Sequence, residues 1–314
     1  MRRHITVLAT IVFAAILAAP TMAQTDEEKD RIEYDTYMRV HNAGNVDKDS
    51  AKTLTLAKEY LAKYPNGKYI DRAKGAIQWA LNDLFGVEFS KGNYDGAIAI
   101  GKEILESDPS NLLTHYQIVF VGDTQFAQDK WNNADEVLLH ADKAEQLIKG
   151  GAKPVTFDDN QWASEKNNWL AIIYRTRARV AQKNQKLDDA LDLYKKSVEF
   201  APTDATTLYC MSAIYSRKYE AARDAYDKLP QDKKEGEAGA AALEDLNKSM
   251  DAVIDNFARV LAFSEGKPNF EGVRKTAQGN LAALYAFRHK DKPDGWQDLI
   301  AQLKASNGQP VQKN

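Results

Sequence analysis

The chain has 314 residues, 44% hydrophobic and 28% charged, with 17 Gly, 9 Pro, one Cys and a formal net charge of −3. Gly and Pro both fall below average usage, which excludes collagen-like, low-complexity and turn-rich all-β classes. The acidic balance lacks the footprint of a nucleic-acid binder, and the lone cysteine, Cys210, excludes an internal disulfide framework or a cysteine-based zinc site.

Length alone suggests roughly two domains. The first element is an address. Arg2 and Arg3 precede an apolar run from Ile5 to Ala19, Pro20 breaks it, and Thr21-Met22-Ala23 stands before Gln24. This order reads as a cleavable secretory signal peptide over residues 1–23; an uncleaved anchor is the competing reading. The run falls short of the about 20 residues of a membrane span, so no stable membrane insertion is expected after cleavage. No cysteine follows it, so a lipoprotein anchor is excluded. Cleavage would remove two arginines and no acid, taking the net charge from −3 to −5. The expected location is periplasmic or secreted. Cys210, within Leu208-Tyr209-Cys210-Met211, reads as a small core residue.

Asp47-Lys48-Asp49-Ser50 reads as a helix N-cap, since the spacing lacks the glycine and distal glutamate of a calcium loop. A helix follows from Ser50, then the turn Tyr64-Pro65-Asn66-Gly67-Lys68-Tyr69, then a new helix from Ile70. Pro65, Pro109, Pro154 and Pro202 lie 44, 45 and 48 residues apart. Proline costs about 3 kcal/mol inside a helix, so these mark connections.

Between them a pattern recurs. Gly92-Asn93-Tyr94-Asp95-Gly96-Ala97-Ile98 leads to Ile104-Leu105 and Asp108-Pro109. Lys130-Trp131-Asn132-Asn133-Ala134 leads to Leu138 and Ala141. Gln185-Lys186-Leu187-Asp188-Asp189-Ala190-Leu191 leads to Tyr194, Ser197-Val198 and Ala201-Pro202. A weaker fourth unit has Leu208, Met211-Ser212 and Tyr215, with its inter-helix turn shortened before Tyr219. Gly150 to Asn160 is an insertion. From about Gly236, a long helix to Ser264, another from Phe270 to His289 and a last from Asp294 to Ala305 lack the signature. Within the first of these, Val253, Ile254, Phe257, Val260 and Leu261 form one apolar face. Residues 306–314 form a polar tail. Sustained period-2 alternation is absent, so the class is all-α.

These segments resemble the tetratricopeptide repeat, a 34-residue helix–turn–helix. The resemblance rests on Tyr94, Trp131 and Leu187 before each second helix, Ala97, Ala134 and Ala190 three residues on, and the closing Pro109 and Pro202. Val121-Gly122 matches the large-then-small pair of a first helix. Glu88 and Gln125 depart from the family's tyrosine. The Tyr64-Pro65 turn is similar to those of envelope-associated repeat proteins of bacteria. The resemblance implies a right-handed α-solenoid of antiparallel helix pairs over residues 24–305. Its clearest repeats lie at 78–111, 115–148, 171–204 and 205–230, and capping helices over 236–305 shield the last apolar face.

Catalytic chemistry is not legible. His41, His115, His140 and His289 never fall four apart on a helix, and no P-loop, G-x-S-x-G elbow or dinucleotide fingerprint occurs. Asp158-Asp159 and Asp188-Asp189 sit where helices begin, as capping and the helix dipole favour. Gly150-Gly151 reads as a C-terminal cap. No catalytic residue, metal or cofactor is expected. The resemblance instead implies a groove lined by first helices: Trp79, Asn82 and Phe89, then Tyr116, Val119 and Phe126, then Ile172, Arg175, Arg179 and Lys183. Arg175, Arg179 and Lys183 share one helical face. Such a stripe suits a protein or peptide with acidic or C-terminal carboxylate groups; packing between repeats and a solvated basic face are the bland alternatives. The leading expectation is a non-enzymatic interaction scaffold. A small-ligand receptor or enzyme, with its pocket between residues 150–160 and the C-terminal helices, is the alternative, and a structural member of an envelope complex is a third.

Overall fold

A computed structural model describes residues 25–308. The expected signal peptide, and the tail beyond Gly308, lie outside the described residues. The chain divides into two compact units, Met1–Ala80 and Leu81–Asn314.

In the first unit, α1 (Asp26–Asn45) and α2 (Ser50–Lys63) pair as a hairpin, and α3 (Ile70–Ser90) begins. Thr25 caps α1, and Asp49 caps α2 by accepting from the Lys52 N–H, so the acids around Lys48 cap a helix as the sequence predicts. Tyr37, Val40, Ala57, Tyr60 and Ala73 make the core. The Tyr64–Tyr69 turn is fixed by a buried carboxylate. Glu33 Oε1 accepts from the Tyr60 hydroxyl and the Lys68 N–H, both at 2.5 Å. Burial, reinforced by that bond to Glu33, pushes the Tyr60 phenol up to about 12. Gly67 is required here, because an added Cβ would sit 2.5 Å from Glu33 Oε1.

The second unit takes the rest of α3, then α4 (Tyr94–Ser107), α5 (Leu112–Ala127), α6 (Ala134–Lys149), α7 (Asp159–Lys183) and α8 (Leu187–Phe200). It continues through α9 (Ala205–Asp227), a single turn α10 (Gln231–Lys234), α11 (Glu237–Phe263), α12 (Glu271–Arg288) and α13 (Trp296–Ala305). Every described element is helical, and short connections fold successive helices back on one another. α5 packs on α4, α6 and α7, and α8 on α7 and α9. This nearest-neighbour order is that of an α-solenoid.

Small residues sit where the helices approach. An added Cβ on Gly122 would lie 2.4 Å from Val137 Cγ2, so this glycine sets the α5–α6 separation. Ala97 and Ala190 are fully buried. Asp158 closes a capping box with Gln161, starting α7 twelve residues before the predicted repeat boundary at Ala171. The insertion packs: Pro154 is buried, and Phe157 meets Trp162 and Trp169. Gly150 and Gly151 end α6 as predicted, with Gly151 at φ +86°.

One boundary differs from the sequence reading. α9 runs unbroken through Tyr219, so the shortened turn predicted there is not formed and residues 205–230 do not make a helix pair. The partner of α9 is α11, expected to be only a capping helix. Val253, Ile254, Phe257, Val260 and Leu261 are buried as predicted, sharing a core with Leu208, Met211 and Ile214 of α9. Asn256 ties the two helices, donating to the Leu208 carbonyl at 3.1 Å and Ser212 Oγ at 2.8 Å.

Candidate functional site

The basic stripe predicted on α7 exists, but most of its charge is directed inward. Arg175 is 8% exposed. Its Nε and Nη2 donate to Asp123 Oδ2 at 3.1 and 2.6 Å, and its Nη1 donates to Asp204 Oδ2 at 2.6 Å. Arg179 Nε donates to the other oxygen of Asp123 at 2.9 Å. Burial opposes the Arg175 charge, but Asp123 and Asp204 outweigh it and hold the guanidinium well above its ordinary range. Asp204 is equally committed: it caps α9 and accepts from the Thr207 hydroxyl at 2.6 Å. Burial works against its charge, while Arg175, Thr207 and the Thr206 N–H pull its carboxyl below the usual range. Two guanidiniums and two carboxylates thus neutralise one another across α5, α7 and α9.

This arrangement corrects the reading of Arg175 and Arg179 as anchors for a partner carboxylate: the carboxylates are the chain's own. Asp123 is the residue the sequence reading missed. It lies four after Val119 on the same stripe of α5, and that spacing was the available signal. Lys183 is more exposed; its Nζ pairs with Asp129 at 2.8 Å and lies 5.1 Å from the Trp131 ring centroid.

The other predicted groove residues separate. Trp79 is 40% exposed and belongs to the first unit. Asn82 is exposed on α3, and Phe89 is half-buried against Tyr94 and Phe120. Val119 is a fully buried core residue, whereas Phe126, 3% exposed and stacked on Trp131 at 4.6 Å, edges one hollow of the surface from α5. Tyr116 stacks on Trp169 at 3.8 Å with planes 4° apart, and burial pushes its phenol far up. Ile172 is half-buried beside them. Aromatics at helical spacing here mostly join one helix pair to the next.

An open surface remains along α5, α7, α9 and α12. One hollow of about 300 Å³ is lined by Trp131, Arg179, Gln182, Lys183, Gln185 and Arg217. The next, about 390 Å³, shares Arg179 and Gln182 and adds Tyr209, Ala213, Ser216 and Asn280. A third, about 280 Å³, shares Tyr209 and Thr276 and reaches Gly272 and Val273. The hollows therefore adjoin, forming a furrow with amide and hydroxyl groups on its walls. Tyr209 is 48% exposed within it, and Arg217 forms no ion pair among the described residues. Cys210 lies in the middle hollow, half-buried, with its thiol pushed up by burial and so not activated as a nucleophile.

Elsewhere, a cavity of about 490 Å³ lies between α8, α9 and α11, lined by Val198, Leu208, Met211, Tyr215, Asn256 and Arg259. Residues 150–160, expected to wall an alternative pocket, do not line it. His115 and His140 are both buried, with Nδ1 atoms 2.8 Å apart. Only one hydrogen fits between those atoms, and burial pulls both imidazoles below their ordinary range. Among the described residues no three histidine, cysteine or acidic side chains group as a metal site, and no helix is long and apolar enough to cross a membrane.

No protein-family model matches the chain, and no curated protein matches it. Among solved structures it is similar to the MamA protein, at 17% identity and a TM-score of 0.35, over 69% of this chain and 94% of that one. It is also similar to human IFIT1, solved as a dimer with m7Gppp-AAAA, at 16% identity and a TM-score of 0.31, over 90% and 75% of the two chains. Likenesses this distant carry no function to the chain.

Proposed function

We propose that this chain is an exported, non-enzymatic scaffold of the tetratricopeptide-repeat type that holds an extended segment of a partner protein. The furrow along α5, α7, α9 and α12 is the observation that carries this reading. Adjoining hollows on the first helices of successive pairs offer a path for a chain rather than a closed pocket for a small substrate. Gln182, Gln185, Thr276 and Asn280 supply donors and acceptors for peptide groups, and exposed Tyr209 supplies an aromatic anchor. A partner carboxylate meets the exposed Arg217, and Lys183 by displacing its exposed partner Asp129, rather than the buried Arg175. Export rests on the signal-like residues 1–23 and places the scaffold in the periplasm or outside the cell.

Site-directed photocrosslinking in the native envelope tests the reading. A benzophenone amino acid at Tyr209 is expected to capture a discrete partner, and the same group at Leu139, which is 54% exposed on the second helix of its pair, is not. Equal capture at both positions refutes the furrow. Mature protein is expected to begin at Gln24; full-length chain held in membranes refutes the cleavage.

The small-ligand reading retains one observation of its own. Asn256 is 2% exposed, lines the 490 Å³ cavity and leaves its Oδ1 without a hydrogen-bond partner. A soluble ligand that raises the melting temperature of the wild type but not of Val198→Trp would favour it.

A further inference from the structure

The first unit holds a cavity whose chemistry is unlike the furrow's and is independent of it. It measures about 240 Å³ and is walled by Tyr37, His41, Lys48, Arg72, Gly75 and Trp79. Three basic side chains line it and no carboxylate does. That balance is unusual in a chain of net charge −3. The acids on either side of Lys48 are turned away: Asp47 pairs with Lys52 Nζ at 2.9 Å, and Asp49 accepts from the Lys52 N–H at 2.9 Å. Neither Lys48 nor Arg72 forms an ion pair among the described residues. The Arg72 guanidinium is instead held over aromatic faces, 6.0 Å from the Tyr37 ring and 5.9 Å from the Tyr69 ring. His41 Nδ1 is buried with no hydrogen-bond partner. Lys48 also occupies φ +55°, a conformation in which glycine carries no penalty and lysine does. Neither the fold nor local ion pairing explains why lysine stands there.

Unpaired cations around an apolar wall repel one another unless an anion joins them. A guanidinium grips an oxyanion with paired N–H groups, and an ammonium and an imidazole add further donors. Trp79, 40% exposed on the cavity wall, suits a flat apolar body. The volume exceeds the about 150 Å³ that accommodates benzene. Two positive charges, both on exposed side chains, and a third donor match a dianion better than a monoanion. We propose that this cavity binds a phosphate monoester carried on a planar apolar group. Arg72 and Lys48 hold the phosphoryl oxygens, His41 supplies a further donor, and Trp79 covers the planar group.

The test uses the full mature chain and phenyl phosphate as the probe. Of the five tryptophan indole N–H resonances, the one lost in Trp79→Phe reports on the site. Phenyl phosphate is expected to move it, binding at least about tenfold more tightly than benzoate or inorganic phosphate. Lys48→Gly is expected to weaken binding at least about tenfold while leaving the melting temperature unchanged or higher, because glycine relieves the left-handed backbone. Gly75→Leu is expected to abolish the shift without loss of stability. An added Cβ at Gly75 meets nothing within 4 Å, leucine favours helix over glycine, and its side chain fills the cavity. An unmoved Trp79 resonance, or full affinity in Lys48→Gly, overturns the proposal. Equal binding of benzoate overturns the phosphate assignment, and equal binding of inorganic phosphate overturns the planar group.

Discussion

Replacing Asp123 by Asn tests whether the α7 arginines hold the fold together. Asparagine keeps the shape of aspartate but removes its charge, and its amide NH2 replaces one of the two acceptor oxygens, so one guanidinium loses its acceptor and faces N–H groups. The native carboxylate accepts at 3.1 and 2.6 Å from Arg175 and at 2.9 Å from Arg179. Removing one partner of a buried pair costs about 3–5 kcal/mol, because the remaining charge stays desolvated. Arg175 keeps Asp204, which places the expected cost near the lower end, about 3 kcal/mol. For a unit of this size that is a fall in melting temperature of about 6–12 °C. Circular dichroism melts and urea titrations at neutral pH measure it. The cycle with Arg179→Gln isolates the pair, with an expected coupling of about 1 kcal/mol or more. A melting point within about 1 °C of wild type, or strict additivity, would refute the network. By the same reasoning Arg175→Glu with Arg179→Glu sets carboxylates against Asp123 and destabilises the chain. That substitution reports on folding and not on partner capture.

Other outcomes follow from the same geometry. Gly122→Val should cost about 1–3 kcal/mol in urea unfolding, since its Cβ would meet Val137 at 2.4 Å; a neutral result would deny that Gly122 sets the α5–α6 spacing. His115 and His140 have folded pKa values lowered by burial, His140 further by His115, although Pro109 O and Glu136 act in the opposite direction. The unfolded chain therefore binds more protons, and stability falls as pH drops from about 7 through the unfolded value near 6.5. Replacing both by leucine should flatten urea-measured stability across that window, and an unchanged slope would exclude the pair as its source. Glu145 is opposed by burial, but bonds from Lys149, Tyr174 and Arg177 bring its carboxyl down to about 2. Its contribution is present above the unfolded value near 4.3 and disappears as pH falls toward 2. Glu145→Gln should thus lose stability at pH 7 and approach wild type in acid, as melts at the two pH values would reveal.

Helix ends were legible where residues enforce them. Pro65 and Gly67 mark a turn because one cannot continue a helix and the other lets Glu33 close on the chain. The apolar face from Val253 to Leu261 named its own buried side. α1 escaped notice because Tyr37, Val40 and Ala43 are thinly spread among charged residues. The turn expected before Tyr219 had no chemical basis: Ala205 to Asp227 contains neither glycine nor proline, so nothing interrupts α9. The inward use of Arg175 and Arg179 lay beyond periodicity, which shows which face a residue shares but not what faces it. Their carboxylate stands 52 and 56 residues away on α5.

Hydrogen exchange on the mature chain, free and bound to the partner captured through Tyr209, tests the scaffold account most directly. The account predicts new protection along α7, α9 and α12, centred on Gln182, Tyr209 and Thr276, with α6 and α8 unchanged. Protection confined to α6, α8 or the first unit would contradict it.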